Sequence, residues 1–209
     1  MTAEGWKEWS VKASEAPHIA QDLIDHGEHV DLYISHQRFR GWRDTKRLLG
    51  LACLYCDVDF HSVETWRDKD PQAVLIAILD VLRHARIPPP SYVLDTGRGL
   101  LLVWLHDMIP AAAQSRWAAV EKRIVAALKE FGSDSKATDA ARVFRVVFSI
   151  NSKAEPSRQV IGMISCLGDP ANPLRYDFDT LADKILPVPR AKLHSFRAEK
   201  ATRRPKERR

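Results

Sequence analysis

The chain has 209 residues, 45% of them hydrophobic and 28% charged. That is enough apolar material for one compact domain with a sizeable core, and no apolar stretch approaches the length of a membrane span. The formal charge of +5 is unevenly placed: residues 190–209 hold nine Lys/Arg against two Glu, +7, which leaves 23 bases against 25 acids, −2, in the rest. Basic composition therefore gives no general case for a nucleic-acid surface on the body, where a groove needs local clustering. The N-terminus MTAEGWKEW lacks a signal-peptide pattern, and three cysteines, Cys53, Cys56 and Cys166, suit a reducing cytoplasm.

In chain order, residues 5–24 are expected to be helical in part, and HVDLYISH (29–36) alternates as a strand does. Residues 37–47 are arginine-rich. Arg38, Arg40, Arg43, Lys46 and Arg47 interleave with Phe39 and Trp42, a composition that suits either a single-strand grip or a solvated basic loop. LACLYCDVDF (51–60) is an apolar, β-forming run that predicts a buried strand. Cys53 and Cys56 lie inside it three apart, on opposite faces, and read as packing residues rather than a metal or redox pair. Pro71 opens a helix whose stripe is Val74, Leu75, Ile78, Leu79 and Leu82. Ser91 to His106 reads as strand, glycine turn, strand. A long helix over 111–131 carries Trp117, Val120, Ile124, Leu128 and Phe131 and ends at Gly132. Residues 158–167 predict another strand, and 177–186 a short helix capped by Asp177 or Asp179. From Pro187 the periodicity stops, so 1–186 is expected to be the folded domain and 187–209 a flexible basic tail or linker. The order of elements predicts an α+β domain: a largely antiparallel sheet with a ferredoxin-like (RRM-like) palm core and flanking helices.

Three constellations carry candidate chemistry. Asp57 and Asp59, two apart at a strand end, would share a face and repel unless a cation such as Mg²⁺ or Mn²⁺ lies between them; the plain alternative is a solvated strand end. Thr96-Gly97-Arg98-Gly99 would let backbone amides, a hydroxyl and a guanidinium approach a phosphate, or be an ordinary hairpin turn. Asp139 would complete a three-acid cation site or cap a helix; in the latter case Arg142 and Arg145 share its face, with Asn151 and Lys153 beyond.

DVD on a strand, TGRGLLLVW in a hairpin and TDAARVFRVVFSINSK downstream together resemble the three motifs of the archaeo-eukaryotic primase superfamily. The similarity is to its plasmid and mobile-element replication primases and primase-polymerases, and spans roughly residues 33–186. It implies a cytoplasmic DNA-directed nucleotidyltransferase that makes short RNA or DNA primers on a single-stranded DNA template from nucleoside triphosphates. Asp57, Asp59 and Asp139 would be the catalytic and metal-binding acids. Thr96, Gly97, Arg98, Gly99, Arg142, Arg145 and Lys153 would contact nucleotide, and Arg38, Arg40, Trp42, Arg43 and Arg47 the strand. A replicative helicase, or a helicase domain beyond the basic tail, is the expected partner. In one place the chain departs from the pattern: the superfamily's hairpin His falls near Leu101 here, and His106 lies five residues on. That departure keeps a second reading open, a catalytically degenerate single-strand-binding module. A third, an Asp-x-Asp glycosyltransferase, needs a doubly wound half ahead of the acids, for which the roughly 50 preceding residues are too few.

Overall fold

The computed structural model describes residues 7–27, 30–154, 156–193 and 195. In chain order its main elements are α1 (Ala16–Asp25), β1 (Tyr33–Ser35), β2 (Arg38–Phe39), β3 (Leu48–Val58), α2 (Pro71–His84), β4 (Tyr92–Asp95), β5 (Leu100–Pro110) and α3 (Gln114–Ala127). There follow β6 (Val143–Arg145), β7 (Ile150–Asn151), β8 (Arg158–Gln159), β9 (Ile161–Cys166), β10 (Gly168–Asp169), β11 (Asn172–Pro173) and α4 (Phe178–Ile185). Among the described residues no helix is long and apolar enough to cross a membrane.

Five strands form one sheet in the order β2-β3-β5-β4-β9, every neighbour antiparallel. β3 and β4 are therefore parallel, with β5 between them and α2 joining them, which is the expected split βαβ. β9 adds to the β4 edge, while β2 takes the β3 edge. α2 forms where the 3.6-residue stripe predicted it: Val74, Leu75, Ile78 and Leu82 are buried, Asp70 accepts from Gln72 N–H as N-cap, and Pro71 stands at the first turn. Asp177, not Asp179, caps α4 by accepting from Thr180 N–H at 2.8 Å. The core gathers Leu51, Leu54, Tyr55, Leu100, Leu102 and Trp104 of the sheet with Trp117, Val120 and Ile124 of α3. Cys53 and Cys56 are both buried, as packing residues are.

Several boundaries move. The strand expected over 29–36 contracts to Tyr33–Ser35 and pairs with β6, not with the main sheet. The strand expected over 158–167 divides into β8, which pairs β7, and β9. Most of the basic tail lies outside the described residues. Its first part is tied down: the Arg190 guanidinium pairs with Asp179, and its N–H donates to Asp183 at 2.9 Å.

β3 carries the site, and its outer edge shows how it is held. β2 covers only its first residues, so the backbone groups beyond need other partners. Gln37 supplies two, accepting from Ala52 N–H at 2.8 Å and donating to the Cys53 carbonyl at 2.9 Å. Trp117 Nε1 donates to the same carbonyl at 2.9 Å, and the Glu121 carboxyl accepts from Tyr55 N–H at 2.7 Å. Asp134 N–H then donates to the Asp57 carbonyl, and Asp59 N–H to the Gly132 carbonyl. α3 and the segment after it thus serve as the missing neighbouring strand.

Candidate active site

Asp57 lies near the end of β3, opposite Leu101 of β5, mostly buried. Burial raises its carboxyl to about 6. Arg142 opposes that rise, Asp134 and Asp59 add to it, and Arg145 opposes it again. Among the described residues no hydrogen bond reaches this carboxylate.

Asp59 does not continue the strand. With φ −88° and ψ 69° it turns into a short 3₁₀ segment, Phe60–Ser62. Two glycines make room for that turn. A Cβ at Gly99 would stand 2.1 Å from the Val58 carbonyl oxygen, and one at Gly132, where φ is +82°, 2.6 Å from that of Asp59. Gly99 is thus explained by close packing on the end of β3. Asp59 Oδ1 is buried with no hydrogen-bond partner, and Oδ2 stands 3.7 Å from Arg98. An orphaned buried carboxylate oxygen beside a second carboxylate is a costly arrangement that a cation relieves. The donors are hard oxygens, which suits Mg²⁺ or Mn²⁺. Among the described residues no three His, Cys, Asp or Glu come close enough to hold an ion by themselves. The protein therefore offers a partial oxygen shell.

The hairpin turn uses most of its own polar groups. Thr96 donates from both N–H and hydroxyl to the Gly99 carbonyl, at 2.9 and 3.0 Å. Gly97, at φ +83°, donates its N–H to Asp95 at 2.7 Å. The Arg98 guanidinium faces outward from the turn. It donates to the Lys153 carbonyl at 3.0 Å while facing Asp59, and Asn151 donates to the Thr96 carbonyl at 3.0 Å. The strand end, the hairpin and the downstream segment therefore meet at Arg98.

The downstream segment is not helical after Asp139. Asp139 is exposed and folds back on itself: its Oδ1 accepts from Ala141 N–H at 2.9 Å, and its carbonyl accepts from Arg142 N–H and from the Tyr55 hydroxyl. Arg142 and Arg145 consequently do not share a helix face; one precedes β6 and the other ends it. Both still act on Asp57. Arg142 pairs with Asp134 at 2.6 Å. Arg145 is nearly buried, pairs with Asp31, and sits 4.8 Å over the Tyr33 ring. Ser152 and Arg145 hold the Asp31 carboxyl below its ordinary range despite burial. Lys153 is exposed beside Arg98.

The basic cluster divides. Arg43 turns toward the downstream segment, donating to the Ala141 carbonyl, and pairs with Glu8 at 3.4 Å. Arg40 and Arg47, with Lys46, Leu48 and Leu49, line a shallow open pocket, with Arg38 exposed nearby on β2 and Trp42 54% exposed in the loop. His106 is fully buried, its ring 4.9 Å from that of Phe178. It does not stand in for the missing hairpin His, whose place Leu101 fills as a fully buried residue.

Two participants carried no motif. Asp134, in a stretch given no role from the sequence, lies beside Asp57. Glu121, fully buried, holds the β3 edge; burial pushes its carboxyl well above the ordinary range. A signal for Glu121 existed: it falls four after Trp117 and three before Ile124, inside the apolar stripe of α3.

No family model matches the chain. Its sequence is 33% identical over 152 residues to a replication protein of Clostridium perfringens, covering 73% of this chain and 35% of that protein. The chain thus spans about a third of that relative's length. In structure it is similar to the archaeo-eukaryotic primase domain of the cyanophage S-2L primase-polymerase, with a TM-score of 0.56 and 16% identity over 84% of this chain and 78% of that one. The chain has the archaeo-eukaryotic primase fold, the fold that the resemblance of its three motifs implies. The antiparallel sheet removes the glycosyltransferase reading, which required a doubly wound half.

Proposed function

We propose that this domain is a replication primase or primase-polymerase, synthesising short RNA or DNA primers on single-stranded DNA from nucleoside triphosphates. The observation that supports this best is the meeting of three separate chain segments at Arg98, within ion-pair reach of Asp59 and hydrogen-bonded to Lys153. Asp57 and Asp59 would hold Mg²⁺ or Mn²⁺ together with phosphate oxygens of the nucleotide, the usual arrangement where a protein supplies only one or two carboxylates. Bound there, the ion would neutralise triphosphate charge and activate the attacking hydroxyl, which displaces pyrophosphate from the α-phosphorus. Arg98 and Lys153 add positive charge on the hairpin side, with Thr96 and Gly97 shaping the turn. Arg142 and Arg145 hold the floor beneath Asp57, and Asp139 sets the turn above Tyr55. Gly99 seats the hairpin on the acid pair. Arg38, Arg40, Trp42, Arg43 and Arg47 supply cations and an exposed ring for the template. The setting would be plasmid or mobile-element replication in the cytoplasm, with a helicase or helicase domain as partner.

The test is primer synthesis on single-stranded DNA with Mg²⁺ or Mn²⁺, run beside Asp57→Asn. A second reading, a single-strand-binding module without synthesis, is favoured by buried Leu101 where a phosphate-contacting His is expected. Strand binding without nucleotide incorporation by the wild-type chain would establish it.

Arg98→Ala is expected to raise the nucleotide KM about tenfold, the usual scale for a charged hydrogen bond, while leaving Tm within about 1 °C. A KM that does not move returns Arg98 to a purely structural place in the turn. Removing residues 194–209, with seven Lys/Arg and two Glu, is expected to flatten the salt dependence of single-strand binding while synthesis at saturating template persists. An unchanged slope assigns the binding to the Arg38–Arg47 cluster.

A further inference from the structure

The downstream segment makes a tight turn at residues 146–149. The Val146 carbonyl accepts from both the Ser149 N–H at 3.1 Å and the Ser149 hydroxyl at 2.6 Å. The third residue of that turn, Phe148, has φ +68°. That conformation belongs to Gly or Asn, and a bulky side chain adopts it only under constraint. The constraint is visible on both sides. Phe148 N–H donates to the Val160 carbonyl at 2.9 Å, and Val160 N–H donates to the Ser149 carbonyl at 2.8 Å. Ser149 and Val160 are fully buried, so the turn is anchored.

The ring itself is not. Phe148 is 56% exposed. A large aromatic here strains the backbone, gains little from burial and leaves apolar surface in water. Folding alone gives no reason for it, and strain of this kind gathers at binding sites. Its position supplies a reason. Three residues before it stands Arg145, which acts on Asp57; three after it stands Asn151, which holds the hairpin; Lys153 is exposed two further on. An exposed ring on a segment that also carries cations is the composition on which nucleobases stack.

We infer that Phe148 is a base-stacking platform, holding a nucleobase of the single strand or of the incoming nucleotide. The inference rests on the primase reading and adds to it a contact that none of the three motifs assigns. Glycine relieves the turn and removes the ring, so Phe148→Gly is the decisive variant. Its Tm should equal or exceed that of the wild type. Its affinity for an oligothymidylate should fall about tenfold, while affinity for an abasic strand of the same length stays unchanged. Phe148→Trp should keep the wild-type preference for the base-bearing strand. Thymidine triphosphate with Mn²⁺ forms the other arm: a loss confined to the nucleotide, with the strand unaffected, places the platform under the incoming base instead. Equal affinity of Phe148→Gly and wild type for strand and nucleotide overturns the inference. So does an equal loss on the abasic strand, which would mark a phosphate or structural effect. A wild type that binds neither strand nor nucleotide would instead refute the primase reading itself, and the platform with it.

Discussion

Asp57→Asn is expected to abolish primer synthesis, a loss of at least about a thousandfold, and at the same time to make the metal-free domain more stable at pH 7.5. The two effects have one origin. Burial raises the Asp57 carboxyl to about 6, with Asp134 and Asp59 adding to it, against the 3.8 of an ordinary aspartate. An acid whose folded-state value lies above its unfolded value stabilises the fold while protonated. In a chelator, that contribution is complete below about pH 4 and is lost as pH rises through about 6. The wild-type Tm should therefore decline across that window, and Mg²⁺ or Mn²⁺ added at pH 7.5 should recover part of it. Asparagine keeps the shape and removes the charge, so its Tm should be flatter with pH and insensitive to the ion. Thermal melts from pH 4 to 8, with and without divalent ion, give both curves. An Asp57→Asn domain that still synthesises primers removes the site assignment, whether or not its ion response is lost.

What could be read in the sequence, and what could not, follows from where each residue's conformation is decided. β3 was legible because its apolar run is long and β-forming. α2 was legible because Pro71 and a 3.6-residue stripe agree. The hairpin was legible because Thr96-Gly97-Arg98-Gly99 separates two apolar runs. In each, local preference and burial point the same way. Asp59 could not be placed. Period two along β3 puts it beside Asp57, but its turn is decided by Gly99 and Gly132, forty and seventy-three residues away along the chain. Asp139 failed for a related reason. Thr138-Asp139-Ala140-Ala141 is a good helix start, yet bonds from the Tyr55 hydroxyl to the Asp139 carbonyl and from Arg43 to the Ala141 carbonyl hold it open. Those bonds tie the downstream segment to β3 and to the loop between β2 and β3, so the local rule gives way at the site. Phe148 is the same conflict at its strongest: the sequence places phenylalanine where the turn wants glycine.

Gly99→Ala is expected to be strongly damaging for so small a change. Its missing side chain was open to two explanations, room for a phosphate or room for protein. The distance decides for protein: a Cβ would lie 2.1 Å from the Val58 carbonyl oxygen and 3.2 Å from the Asp59 Cα. Both are backbone atoms, and neither can turn aside as a side-chain tip could. Leu100, the next residue, pairs with Val58, so relief must come from shifting the hairpin off the end of β3. Overpacking of this kind costs about 1–3 kcal/mol, and in a domain of this size each kcal/mol is worth about 2–4 °C. Gly99→Ala should therefore lower Tm by about 4–10 °C and reduce kcat, because the shift carries Arg98 away from Asp59. Gly97→Ala is the comparison. Gly97 differs in having a positive φ, +83°, so alanine there strains the turn's own backbone by about 1–2 kcal/mol. If Gly99 served only to admit a phosphate, Gly99→Ala would keep the wild-type Tm and raise the nucleotide KM alone. Melting curves and steady-state kinetics on the two variants separate these outcomes, and a Gly99→Ala domain as stable as the wild type would mean that the hairpin does not seat on the acid pair as described.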